Sequence, residues 1–130
     1  QWVNRLRHRR RDNTIEGSRE NIHEHYDLSN EFFALWLDPT MSYSSALWET
    51  GEESLVEAQR NKIERACRQL QLTAADHLLE IGTGWGGLAM HAAQRYGCRV
   101  TTTTISEEQY ALAQERIREA GLTDRVTVLL

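Results

Sequence analysis

The stretch Leu78-Leu79-Glu80-Ile81-Gly82-Thr83-Gly84-Trp85-Gly86-Gly87-Leu88 decides how this chain folds, because it joins a short apolar run to a helical pattern through a turn almost without side chains. His77 to Ile81 reads as a buried strand and Gly86 to Tyr96 as the helix that follows. The glycines between them let the backbone approach a ligand more closely than a Cβ would permit. A ligand seated there meets bare N–H groups at a helix N-terminus. So many glycines in one turn cost chain entropy without adding packing, so the turn is expected to hold a cofactor.

Gly82, Gly84 and Gly87 satisfy G-x-G-x-x-G between strand and helix, the spacing of a dinucleotide-binding turn. Two features point elsewhere. Glu80 stands beside the turn, where a carboxylate repels a pyrophosphate but attracts the ammonium and sulfonium of S-adenosylmethionine, which carries no phosphate. About 20 residues on, dinucleotide folds place an acid on the ribose, whereas Val100 to Ile105 reads V-T-T-T-T-I. Ribose recognition then falls to Thr104, or to Ser106, Glu107, Glu108 or Gln109 where the next helix opens. Gln109 is favoured because its amide both donates and accepts.

Outward from the turn, the strand and helix signals continue. Gly97 ends the helix, and Cys98 to Thr104, rich in β-branched residues, is a second strand. Ser106-Glu107-Glu108-Gln109 reads as a capping box opening a helix with Tyr110, Ala113, Ile117 and Ala120 on one face, stopped by Gly121. Arg125 to Leu130 begins a third strand. This β-α-β-α-β order predicts an α/β fold with a parallel sheet, strands ordered 3-2-1, which is half of a doubly wound architecture. The neighbours of strand one, and the other wall of a ligand crevice, are expected from the rest of a longer protein or from another chain.

Toward the N-terminus, Ser54-Leu55-Val56-Glu57 is a second capping box, and Leu55, Ala58, Ile63, Ala66 and Leu70 recur at helical spacing up to about Gln71. Met41-Ser42-Tyr43-Ser44-Ser45-Ala46-Leu47-Trp48 is short of charge and rich in hydroxyls; composition alone makes it a buried loop or short strand with satisfied hydroxyls. Before the Asp38-Pro39 turn, Ser29 or Asn30 can cap a short helix whose Phe32, Phe33, Trp36 and Leu37 form an apolar face. Residues 1–18 read as a basic flexible leader, 19–71 as a helical cap over the cofactor site, and 72–130 as the first half of the cofactor-binding domain. No metal is expected, since His23 and His25 do not share a helical face and no further ligand completes a set.

The 130 residues are 40% hydrophobic and 26% charged, a globular composition. The net charge of −4 hides an asymmetry: Arg5, Arg7, Arg9, Arg10 and Arg11 precede every acid, and the other ten basic residues face all 19 acidic ones. Such an arm touches anionic lipid headgroups or is a solvated end; nucleic acid is not expected, because no aromatic-interleaved basic surface accompanies it. No apolar run reaches the ~18 residues that cross a bilayer, and no signal peptide is visible, so a cytoplasmic protein is expected. Cys67 and Cys98, isolated from each other and from metal-ligand spacings, are expected to be reduced and buried.

The residues resemble the cyclopropane-fatty-acyl-phospholipid synthases and mycolic acid cyclopropane synthases, which are S-adenosylmethionine-dependent methyltransferases. The resemblance runs from about Asn21 to Leu130. It is carried by His25-Tyr26-Asp27-Leu28-Ser29-Asn30-Glu31-Phe32-Phe33, Leu37-Asp38-Pro39-Thr40-Met41-Ser42-Tyr43-Ser44, Glu57-Ala58-Gln59, Leu79 to Gly87 and Thr104-Ile105-Ser106-Glu107-Glu108-Gln109, in that order. It implies a class I methyltransferase, a Rossmann-like fold preceded by N-terminal helices, acting on the cis double bond of unsaturated phospholipid acyl chains. There the alkene attacks the sulfonium methyl and proton loss closes the ring.

Cofactor contacts carried over by the resemblance fall on Tyr43, Ser44, the stretch Leu78 to Gly86 with Glu80, Gly82, Thr83, Gly84, Trp85 and Gly86, and on Thr104, Ser106 and Gln109. The family also holds a bicarbonate as proton acceptor, using a cysteine where this chain has Ser45. That departure leaves a cyclopropane and a methyl-branched or methylenated product both open. A methyltransferase for another acceptor, or a non-catalytic lipid-binding relative, is the alternative reading. Peripheral contact at the inner membrane face through the arginine arm stays open beside a solvated arm; monomer and homodimer both stay open. The isolated 130-residue piece is expected to be inactive.

Overall fold

A computed structural model describes residues 29–130. The arginine arm, the leader, and His23 and His25 lie outside the described residues. The elements, in chain order, are α1 (Asn30–Ala34), α2 (Leu55–Gln69), β1 (His77–Ile81), α3 (Gly87–Tyr96), β2 (Arg99–Thr103), α4 (Glu107–Glu119) and β3 (Val126–Leu129). The three strands form one parallel sheet in the order β1-β2-β3, which is the predicted arrangement. Register is in step throughout, His77 pairing with Arg99 and Ile81 with Thr103, then Val100 with Val126 and Thr103 with Leu129.

Local chemistry sets the boundaries. Ser54 Oγ accepts from the Glu57 N–H while the Glu57 carboxylate accepts from the Ser54 N–H at 2.8 Å, the predicted reciprocal box. Ser29, of the two candidates, caps α1. Gly97 ends α3 at φ 71°, a left-handed position that a residue with a Cβ occupies only under strain. The box predicted for α4 is half made: Ser106 Oγ accepts from the Gln109 N–H, but the Gln109 side chain turns to Thr104 instead. Helix α2 ends at Gln69, two residues before the predicted end, with Leu70 and Leu55 largely exposed.

The core lies on one face of the sheet. Helix α3 packs on β2 and β3, α4 on β3, and α2 on α3. Ala89, Ala92 and Ala93 form the buried stripe of α3, small enough to let the helix sit close to Cys98, Val100, Val126 and Val128. Ile63 and Cys67 reach in from α2, and Ile117 from α4. Both cysteines are buried and unbridged, and burial pushes the Cys67 thiol up to about 11. Glu64 staples α2 to α3, its two oxygens 2.8 Å from His91 Nε2 and 2.9 Å from the Tyr96 hydroxyl that donates to it.

The expectation of a fully buried first strand is corrected. Leu79 is 64% exposed and Ile81 86%, because the described helices cover the opposite face, where Leu78 and Glu80 point. Likewise only Phe33 of the predicted α1 face is buried, while Phe32 and Trp36 are about half exposed.

Ile117→Ala should destabilise the protein by about 2–5 kcal/mol, since it removes a side chain 2% exposed and leaves a cavity between α4 and the sheet. Leu35→Ala, at a position 83% exposed, should stay within about 0.5 kcal/mol. Urea unfolding of the two variants checks the contrast.

Candidate active site

The glycine turn leaves the sheet through one carbonyl. Thr103 O, at the end of β2, accepts from both the Gly82 N–H (3.0 Å) and the Thr83 N–H (2.9 Å). The chain then passes through Gly82 at φ 97°, Gly84 at 52° and Gly86 at 84°, the region in which L-residues are strained. A Cβ at Gly82 or Gly84 would meet no atom within 4 Å, so backbone conformation rather than crowding calls for glycine there, and the space above is open to a ligand. Gly87 differs: its φ is ordinary, but a Cβ would come 3.4 Å from the Thr40 carbonyl, where the preceding loop packs down. Gly86 caps α3 without any side-chain hydrogen bond, leaving the first N–H groups of that ten-residue helix for another partner.

Two groups lock the turn from behind. Thr83 Oγ1 and Thr102 Oγ1 share a buried 2.7 Å hydrogen bond. Trp85 is buried; its indole Nε1 donates to Asn30 Oδ1 (2.6 Å) and its carbonyl accepts from Arg116 Nη1 (2.7 Å). Its ring lies 4.9 Å from Phe33, which in turn meets Tyr43 edge-on at 5.6 Å. Trp85 thus ties α1 and α4 to the glycine turn.

Glu80, on the penultimate residue of β1, points to the helix-covered face. Burial pushes its carboxyl up to about 7, a hydrogen bond from Thr102 opposing only in part. Its Oε2 is the one buried side-chain oxygen or nitrogen among the described residues with no hydrogen-bond partner. Leaving a carboxylate oxygen in that state is costly, and a cationic donor arriving in the cavity would relieve it.

Opposite stands the loop Met41 to Ser44. Asp38 is buried and folds the preceding turn, one oxygen accepting from the Thr40 N–H at 3.0 Å and the other from its hydroxyl at 2.9 Å. Met41 follows at φ 56°. Gln59 of α2, 4% exposed, then donates through Nε2 to the carbonyls of Ser42 (3.2 Å) and Ser44 (2.9 Å). Lys62, one turn further, donates to Ser44 Oγ at 2.9 Å and to Gln59 Oε1. The loop read from composition as a buried segment with satisfied hydroxyls is instead a half-exposed wall held by its carbonyls, because α2 offers it amide and ammonium donors.

Between loop and turn lies a cavity of about 290 Å³. Of the residues singled out in the sequence, Tyr43, Ser44, Glu80, Gly82, Thr83, Gly84, Trp85 and Gln109 line it. Thr104 and Ser106 sit behind the wall: Thr104 Oγ1 donates to Gln109 Oε1 (3.0 Å) and Ser106 Oγ accepts from the Gln109 N–H (3.3 Å), so both orient Gln109. Gly86 packs toward Ala113 and Ile117, and Ser45 is exposed and away from the cavity wall. Lys62, which lines the cavity, and Gln59 and Asn30, which brace its walls, are absent from the sequence-based site; the Gln59-x-x-Lys62 spacing on one helix face was the visible signal for the first two. A wider hollow of about 620 Å³ between α4 and β3 lies apart from the glycine turn.

A family model described as mycolic acid cyclopropane synthetase matches residues 13–130. The chain belongs to this family. It is 44% identical over 117 residues to a probable fatty acid methyltransferase of Pseudomonas putida, covering 90% of this chain and 30% of that protein. It is 47% identical over 107 residues to the cyclopropane-fatty-acyl-phospholipid synthase of Escherichia coli K12, covering 82% of this chain and 27% of that one. The solved mycolic acid cyclopropane synthase CmaA1, complexed with SAH and CTAB, superposes with a TM-score of 0.82 at 38% identity, covering 86% of this chain and 39% of that chain. The chain therefore spans about 30% of the length of these curated relatives. Family and fold agree with the resemblance read from the sequence blocks.

The Glu80 environment gives a signed pH prediction. A carboxyl raised from 4.5 to about 7 in the folded state means that the unfolded chain binds fewer protons between those values. Stability is then highest below about pH 4.5 with respect to this group, and falls as pH rises through about 7. Glu80→Gln should raise the stability of the ligand-free protein at pH 8 by about 2–3 kcal/mol, with the gain vanishing in acid. Thermal melts across pH 4.5–8 read this directly.

Proposed function

We propose that this chain supplies the cofactor-binding portion of an S-adenosylmethionine-dependent methyltransferase acting on the cis double bond of unsaturated phospholipid acyl chains. The observation that carries the reading is the unpartnered Glu80 Oε2 at the floor of a glycine-walled cavity. A pyrophosphate placed there would face a carboxylate, whereas an ammonium or sulfonium would satisfy it. Support for Gln109 as the ribose partner is that it lines the cavity and is held by Thr104 and Ser106, and the open space above Gly82 and Gly84 leaves room for the cofactor. When bound, S-adenosylmethionine supplies an electrophilic methyl group; the residues of this chain bind it, orient it and keep one side of it from water.

The acyl acceptor is supported by the family and by the apolar surface beside the cavity, where Tyr43, Trp36 and Phe32 are about half exposed. A second product class has its own support. Ser45 stands where the family's bicarbonate-site cysteine is expected, and the Pseudomonas putida relative is named a fatty acid methyltransferase, so a methyl-branched or methylenated chain is the alternative to a ring. Location at the cytoplasmic face of a membrane through Arg5, Arg7, Arg9, Arg10 and Arg11 belongs to the same reading. Among the described residues no helix is long and apolar enough to cross a membrane.

The full-length protein, given S-adenosylmethionine labelled in its methyl group and vesicles of unsaturated phospholipid, should label the acyl chains, and NMR of the product should distinguish ring from branch. Labelling confined to small polar acceptors would reject the lipid assignment. Glu80→Lys should remove cofactor binding in calorimetry, and unchanged affinity would take Glu80 out of the site.

A further inference from the structure

Arg116 of α4 is half-buried, does not line the cavity, and donates through Nη1 to the Trp85 carbonyl at 2.7 Å. Folding energy gives little reason for a charge at that place. Trp85 immediately precedes Gly86, the N-cap of α3, so the guanidinium stands against the positive end of a ten-residue helix, where a cation is disfavoured. Among the described residues no carboxylate lies within ion-pair distance of it. Burial pushes the guanidinium down from its ordinary range and Asp38 opposes this, but both Asp38 oxygens are committed to Thr40. The bond to Trp85 is the one hydrogen bond that the Arg116 side chain makes among the described residues.

Trp85 is the one residue with a side chain between Gly84 and Gly86, which sit at φ 52° and 84°. With no Cβ on either flanking residue, its peptide groups rotate with little hindrance. The indole is fixed by Asn30, but that anchor does not set the direction of the main-chain carbonyl. Two bonds hold the Trp85–Gly86 peptide. One, from the Gly86 N–H to Thr83 O at 2.9 Å, lies inside the turn and moves with it; the other ties the turn to α4. We propose that Arg116 is a positioning residue that fixes this peptide, holding the Trp85 carbonyl toward α4 so that the glycine turn is set before the cofactor arrives. The inference rests on the S-adenosylmethionine reading and adds to it a residue outside the cavity wall on which affinity depends. Without the guanidinium the turn samples other orientations, and a turn that is competent about one-tenth of the time binds about ten times more weakly.

Calorimetry with S-adenosylmethionine on the full-length protein, paired with thermal melts of the ligand-free protein, separates positioning from stability. Arg116→Met should weaken S-adenosylmethionine about tenfold at a temperature where the melt shows it folded. Arg116→Lys, which returns a cationic donor to the carbonyl, should bind within about threefold of the wild type. Val126→Ala thins the core under β3 without touching the turn, so it should melt lower and yet keep wild-type affinity. The proposal is overturned if Arg116→Met binds within about threefold of the wild type or does not fold without ligand, if Arg116→Lys binds no better than Arg116→Met, or if Val126→Ala loses as much affinity. In each of those cases the cofactor reading stands. A wild-type protein that binds no S-adenosylmethionine overturns both.

Discussion

One carbonyl at the end of β2 holds the architecture of the site. Thr103 O accepts two consecutive N–H groups, those of Gly82 and Thr83, and so turns the chain out of the sheet at a fixed point. Everything that matters chemically is placed relative to that exit. Glu80 is left two residues before it on the helix-covered face, the glycines take their positive φ immediately after it, and α3 starts where its first N–H groups face the same space. Parallel pairing in register from His77 to Ile81 brings Thr102 beside both Glu80 and Thr83, so one β2 residue supports the carboxylate and the turn together.

The opposite wall depends on a different kind of constraint. Met41 to Ser44 has no regular structure of its own, and its carbonyls would be costly to leave unpaired against α2. Gln59 and Lys62 supply those donors from one helix face, and Asp38 folds the turn that feeds the loop. An aromatic bracket through Phe33, Trp85 and Tyr43 then joins loop, α1 and glycine turn. The result is a rigid frame around a polar mismatch. Glu80 is strained electrostatically in the ligand-free protein, which is the usual sign that binding energy, not folding energy, has shaped a group.

The secondary structure was legible because each element announces itself locally. Periodicity marked α2 and α4, β-branched residues marked β2, Ser54 and Ser106 marked helix starts, and Gly97 and Gly121 marked ends. The strand order followed from the β-α-β connections, whose handedness leaves little choice. Glu80 was legible as the charge at the base of the glycine turn because its place beside that turn lies within one contiguous block and does not depend on distant residues. Less was legible at the N-terminal wall. Trp85 looked like a cofactor contact and proves also to be the tie to Asn30 and Arg116, residues 55 and 31 positions away. Thr104 and Ser106 looked like ribose ligands and stand behind Gln109, because a hydroxyl next to a helix start satisfies the nearest backbone and amide groups first.

What the sequence by itself determined was the order of elements, the position and conformation of the glycine turn, the charge at its base, and membership of the mycolic acid cyclopropane synthetase family, since all of these reside in short contiguous blocks. What only the tertiary structure decided was which polar atoms lack partners. That Glu80 Oε2 stands alone, that Lys62 is committed to Ser44, and that one face of β1 is left exposed are each properties of several segments meeting in space. Hydrogen-bond satisfaction and burial are set by every neighbour of an atom at once, and most of those neighbours are remote along the chain.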